Sequence, residues 1–306
     1  VIEEQVRSLV AATFGVAPLR ASRMTFGQNS VTFAVTLPER DIIVRTNTRP
    51  AVFAHTERNL AILGGLGLPV PRLLAADHSL AHYPFAYMIL AKIPGRDLRY
   101  ELPTMSALQM TRLAEQIVGY QCRVTTLPQG NGFGWAAIGE PGRFATWWEL
   151  IQAELASRRA EAGTCAIAGL IGRLERAIDG CSPYLRSVPP TCFLDDVTTK
   201  NVIMQGGELQ GLIDFDVVCY GDPLFQVALT AVAILCDVGP ETMFYADELR
   251  RLRSLTGEQE RATALYAALF GLEFILRLRD TQSPAWNRRM VEAIMHWLSL
   301  AERPAC

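Results

Sequence analysis

Near Ile93-Pro94-Gly95 the apolar pattern of the chain changes its period, and this change constrains the fold more than any other feature. Before it, runs of β-branched and aromatic residues alternate with turn residues. Residues 23–26 and 31–37 flank the turn-like Gly27-Gln28-Asn29-Ser30, and residues 41–46 follow a Pro38-Glu39-Arg40 break. The stretches LPVPRLLAAD and FAYMILAKI read as two more strands. Helical spacing in this part is confined to residues 2–14 and to residues 51–65, which end in glycines. After Pro103 the pattern turns helical, over residues 106–124, 144–160, 166–180, 223–237, 240–255, 258–279 and 286–301. One hairpin signature interrupts it: residues 201–205 and 208–214 around Gly206-Gly207. The chain is therefore expected to be α+β, with a small β-rich lobe over residues 1–93 and a larger, mostly helical lobe over 94–306.

Composition narrows the function. A length of 306 residues suits two lobes, and with 50% hydrophobic and 20% charged residues a sizeable core can be buried. The net charge of −2 and a pI near 6.2 lack the basic excess of a nucleic-acid binder, so no such partner is expected. Seven cysteines are scattered without a C-x-x-C pair, which argues against a disulfide framework or a zinc site and for reduced thiols. The first ten residues carry acids and no apolar stretch, so no secretory leader is expected there. The longest apolar run, 224–236, is broken by Gln226 and is too short to span a bilayer. A cytoplasmic protein without a membrane partner is the expectation. His55, His78, His82 and His296 show no ligand spacing.

The hairpin places chemistry-bearing residues together. Asp196 and Asn201 lie in FLDDVTTKNVIM, and Asp214 ends the return strand at GLID. With a turn at 206–208, Asn201 and Asp214 fall within about two residues of direct pairing, roughly 7 Å along a strand. Asp196 sits in the loop that leads in. Magnesium prefers oxygen ligands and needs few of them from protein, so an amide and a carboxylate beside a loop acid suit a metal-assisted phosphoryl transfer.

The segments LDDVTTKN, LIDFD and YGDP resemble the catalytic core of the aminoglycoside-phosphotransferase and choline-kinase superfamily, whose pattern is H-G-D-x-x-x-x-N, I-D-[FWC]-[DEG] and G-D-P. The resemblance implies a protein-kinase-like two-lobe fold. It also implies that Asp196 is the catalytic carboxylate, that Asn201 and Asp214 are magnesium ligands, and that Asp216 and Asp222 are supporting acids. Leu194 stands where the family usually has histidine, and it is expected to pack in that residue's place. Asp222 before Pro223 also reads as an ordinary helix cap.

The same resemblance extends to the first lobe. FGQNSVTFAV is similar to a phosphate-covering hairpin, with Gly27, Gln28, Asn29 and Ser30 offering backbone groups. Arg45 takes the place of the phosphate-binding cation, with Glu57 as its expected carboxylate partner. Leu90 to Ile93 would meet the base of ATP or GTP, and Lys200 beside the catalytic loop would reach the γ-phosphate. The stretch NGFGWAAIGEPGRFATWWELI is similar to hygromycin-B kinases, which points to an aminoglycoside-like small-molecule acceptor. Asp237, Glu241, Glu273 and Asp280 are candidate acceptor acids, Glu273 first among them, and Trp135, Trp147 and Trp148 read as core. A metabolic kinase acting on a sugar, amino alcohol or nucleoside, and an inactive nucleotide-binding regulator, are the rival readings.

Overall fold

The structure, a computed structural model, describes residues 1–24, 30–162 and 168–303. It divides into two compact units: residues 1–95 with 210–217, and residues 96–209 with 218–306. Residues 210–217, expected in the second lobe from their place in the chain, thus belong to the first unit.

The first unit opens with helix α1 (Glu3–Phe14) and continues with β1 (Arg20–Arg23), β2 (Val31–Thr36) and β3 (Asp41–Asn47). A 3-10 turn (Pro50–Val52) leads to α2 (Thr56–Gly65), then β4 (Leu73–Asp77) and β5 (Ala86–Ala91). The strands form one antiparallel sheet in the order β1-β2-β3-β5-β4. Period-2 alternation explains its faces. Phe33 and Val35 of β2 and Ile42 and Val44 of β3 are buried with Val6, Leu9 and Val10 of α1, while Ile43 and Arg45 take the opposite side of β3.

The second unit begins with β6 (Arg96–Asp97) and the short helix α3 (Leu98–Glu101), followed by α4 (Ala107–Val124), β7 (Gly134–Ala136), α5 (Trp147–Ala162) and α6 (Ala168–Ser187). Then come β8 (Thr191–Phe193), β9 (Val202–Gln205), β10 (Glu208–Leu212), β11 (Val218–Gly221), α7 (Leu224–Asp237), α8 (Phe244–Arg253), α9 (Gly257–Leu278) and α10 (Pro284–Ala301). Only the first two residues of β10 belong to this unit. The expected hairpin is present: β9 turns through Gly206 and Gly207, both at positive φ, into β10, and pairs on its other side with β6. A second small sheet, β7-β11-β8, was not expected from the sequence.

Reciprocal capping boxes, Ser106 with Gln109 and Thr256 with Gln259, start α4 and α9. The core gathers on α9, whose residues from Ala262 to Leu272 are buried on every side, and on Trp147, which meets Phe193, Phe225 and Tyr266 edge-on. Trp147 therefore packs as the sequence suggests. Gly221 is required by this core: its φ is 154°, and a Cβ there would stand 2.1 Å from the Trp147 ring. Among the described residues no helix is long and apolar enough to cross a membrane.

Candidate active site

In the first unit the site is built around Arg45. Strand β3 carries it on the face opposite Val44, over the ring of Phe53 at 5.6 Å. Its Nη1 and Nη2 donate to the two oxygens of Asp216 at 2.7 and 2.6 Å, a fork-to-fork pair of 14% and 17% exposed side chains. Burial works against the Arg45 charge, but the Asp216 hydrogen bonds and charge outweigh it, with Asp214 adding to them, and the pKa is raised. Thr56 Oγ1 also donates to Asp216 Oδ1 (2.8 Å), and Asn59 Nδ2 donates to the Phe215 and Asp216 carbonyls (3.0 and 3.1 Å).

Asp216 therefore holds Arg45, and Glu57 does not; Glu57 is exposed on α2. The reason is helical phase. Thr56 and Asn59, three apart, share the inner face with Leu60 and Leu63, and Glu57 points a hundred degrees away from Thr56. Two buried polar residues at that spacing are the signal that sequence reasoning passed over.

Asp214 has φ 71°, an unusual conformation for a residue with a Cβ. Water reaches its carboxylate, yet surrounding protein displaces enough solvent to raise its pKa; the Asp216 charge raises it further and Arg45 opposes both. No donor among the described residues hydrogen-bonds it, so this carboxylate is available to a cation. No three His, Cys, Asp or Glu side chains among the described residues group as a metal site, but magnesium asks for less, one or two oxygen donors with phosphates and water completing its shell. Asp214 can supply one such donor.

Leu90 is buried in β5 opposite Ile43 and Leu73, and Ile93 packs on the backbone of Gly211. Ser30 Oγ is buried and has no hydrogen-bond partner among the described residues. Gly27, Gln28 and Asn29 lie outside the described residues.

Removing the Asp216 carboxylate strands a largely buried guanidinium. Asp216→Ala is expected to cost about 2 kcal/mol, on the low side for a broken buried pair because both side chains retain some water contact. Urea unfolding measures it, and the double substitution Arg45→Met with Asp216→Leu, which removes both charges, should recover most of the loss.

In the second unit the loop after β8 holds Asp196 and Asn201. Leu194 is 3% exposed, and Gln121 of α4 clamps its backbone, donating to Leu194 O (2.6 Å) and accepting from Leu194 N (3.0 Å). Leu194 thus packs as expected, and Gln121 was not foreseen. Asp196 is exposed; Thr198 Oγ1 donates to its Oδ1 (2.8 Å) and Asn201 Nδ2 to its carbonyl (2.9 Å). Asn201 N also bonds Thr198 O (3.3 Å), so the loop closes on itself.

The structure employs the candidate acceptor acids differently from one another. Asp237 accepts from Thr199 Oγ1 (2.9 Å) and pairs with Lys200 Nζ (3.1 Å), so it braces the 196–201 loop. Glu273 is held by Arg158 (2.6 Å), whose side chain is 5% exposed, and belongs to a structural ion cluster with Glu154. Both carboxylates thus have partners within the chain. Glu241 stands exposed beside Gly239, and Asp280 is exposed next to Arg279.

Asp222 is 4% exposed and accepts from Tyr184 and Tyr266 hydroxyls (2.8 Å each) and from Leu224 N (3.0 Å), the last fulfilling the expected capping role at the start of α7. Trp147 Nε1 donates in turn to Tyr266 Oη (2.8 Å).

A model of the phosphotransferase enzyme family (APH) matches residues 22–266. The chain belongs to this family. No curated protein matches it. Solved structures do. The apo form of a thermostable mutant of the aminoglycoside phosphotransferase APH(4)-Ia superposes with TM-score 0.70 at 17% identity, over 97% of this chain and 99% of that one. The GDP and kanamycin complex of APH(2")-IIIa gives 0.70 at 13%, over 96% and 98%. A Haemophilus somnus 129PT protein, provisionally assigned as a fructosamine-3-kinase, gives 0.62 at 14%, over 96% of each chain. At these identities the likeness is one of fold, and the APH phosphotransferase has the kinase-like architecture expected from its sequence.

Proposed function

We propose that this phosphotransferase moves the γ-phosphate of ATP or GTP to a hydroxyl of a small, aminoglycoside-like acceptor, with Mg2+ as its resident ion. The observation that carries the reading is the 196–201 loop. It exposes the Asp196 carboxylate while Thr198 fixes one of its oxygens and Asn201 ties down its backbone.

Asp196 takes the proton of the acceptor hydroxyl as the hydroxyl oxygen bonds to the γ-phosphorus and the bond to the β–γ bridging oxygen breaks. Arg45 keeps N–H donors beyond the two on Asp216, and these meet phosphate oxygens. Lys200, set by Asp237, adds charge at the loop. Asn201 and Asp214 would hold magnesium, which supplies charge neutralisation at the phosphates when bound. AMP-PNP with hygromycin B in one fold relative supports a nucleotide donor and a cationic acceptor.

Transfer of label from γ-labelled ATP to a panel of aminoglycosides, sugars and amino alcohols tests this. Transfer should vanish in EDTA and return with Mg2+. Transfer that persists without divalent cations, or no transfer to any acceptor, would refute it. The fructosamine-kinase-like fold relative favours a second reading, a metabolic sugar kinase. Preference for fructosamine over every aminoglycoside, with no resistance conferred on a sensitive host, would establish that reading instead.

A further inference from the structure

Of the tryptophans around this loop, Trp147 is buried and Trp148 lies half-buried beneath Arg186, but Trp135 is 37% exposed. It is the centre of β7, directly opposite Cys219 of β11, and Cys219 is in turn opposite Phe193 of β8. Cross-strand partners share a face of the sheet. The ladder thus sets the indole on the face that carries Phe193, three residues before Asp196.

Two contacts fix the ring. Nε1 donates to Asp195 Oδ2 at 2.5 Å, and Phe225 tilts against it at 6.3 Å. A large apolar side chain anchored twice and still open to water is a rigid plate. Asp195 stands where the H-G-D pattern has glycine, so the anchor is a feature of this chain.

The charges nearby are mainly negative. Asp195 and Glu154 both act on the buried Cys219 thiol, and Asp196 adjoins Asp195. Arg158, which pairs with Glu154, also pairs with Glu273, and Lys200 pairs with Asp237, so neither cation is without a carboxylate of its own.

We propose that Trp135, held by Asp195, is the platform on which the acceptor lies, and that the pair selects acceptors bearing a protonated amine on a saturated ring. This rests on the phosphotransfer reading. The C–H face of such a ring covers the indole, its ammonium meets the ring's negative face and the Asp195 carboxylate, and a ring hydroxyl is left towards Asp196.

Calorimetry with Mg2+ and AMP-PNP present, using hygromycin B, kanamycin, glucose and choline as probes, tests the pair independently of turnover. Trp135→Ala should weaken the two ring amines about tenfold and leave AMP-PNP affinity unchanged. Trp135→Phe should fall between, as a ring without the N–H. Asp195→Asn keeps an oxygen for the indole and should weaken only amines; Asp195→Gly, which frees the indole, should weaken glucose as well. Unchanged amine affinity in both Trp135 variants would overturn the proposal. So would a wild-type protein that binds neither amine, or binds choline as tightly. The phosphotransfer reading fails separately, if γ-phosphate moves to no acceptor while amine binding still follows Trp135.

Discussion

Asp196→Asn should reduce phosphoryl transfer at least about a hundredfold, the lower range of what a positioned base contributes. The substitution is nearly isosteric. It retains an oxygen for the Thr198 hydroxyl and the backbone carbonyl that Asn201 binds, so the loop should keep its shape. Under the proposed reaction, what disappears is the proton acceptor. Turnover with labelled ATP should therefore fall while AMP-PNP affinity, read by calorimetry, holds within about twofold. Turnover near that of the unsubstituted protein would remove Asp196 from the reaction. Equal loss of turnover and nucleotide affinity would mean that the loop, not the base, had been damaged.

The largest stability effect is expected at Asp222. Asp222→Ala leaves the Tyr184 and Tyr266 hydroxyls and the Leu224 N–H without their acceptor, around a carboxylate that is 4% exposed. At about 1 kcal/mol for each stranded donor, the loss is about 3 kcal/mol, or roughly 5 °C in Tm for a chain of this size. Burial raises the pKa of this carboxyl, and the Leu224, Tyr184 and Tyr266 hydrogen bonds only partly offset it. A native pKa above the unfolded one means that the group stabilises most below about pH 4, its unfolded value, and loses that contribution as pH rises through the native pKa. The destabilisation by Asp222→Ala should therefore be greatest in acid, and Asp222→Asn should flatten the dependence. Thermal melts of the three proteins across pH decide it; a penalty that grows with pH would show the carboxyl to be stabilised in its charged form.

Long periodic elements were legible. The strands around Ile42 and Val44 and the helices begun by Ser106 and Thr256 carry both their period and their boundaries in local residue types. The hairpin at Gly206-Gly207 was legible for the same reason. The strands of the sheet β7-β11-β8 were not: three or four residues such as Gly-Trp-Ala are too short to show alternation, and their pairing joins segments far apart in the chain. Partners of charged groups were least accessible. Glu57 lies near Arg45 in sequence and has the right charge, but the partner is Asp216, 171 residues away, chosen by the inward turn of Thr56 and Asn59. Gln121, which clamps Leu194, gives no sign in its own helix that a distant loop needs an amide. Trp135 read as core because aromatic content alone does not reveal which ring stays open to water.

The eight-residue loan of 210–217 to the first unit has a practical corollary. A gene cut after codon 95 would encode a β-sheet lacking the carboxylate that neutralises Arg45 and the Leu212 N–H that answers the Pro69 carbonyl. Such a fragment should not be soluble on its own, whereas adding a synthetic peptide of residues 208–218 should restore it by complementation. Dissecting this enzyme into its two units thus divides the chain into four segments, two for each.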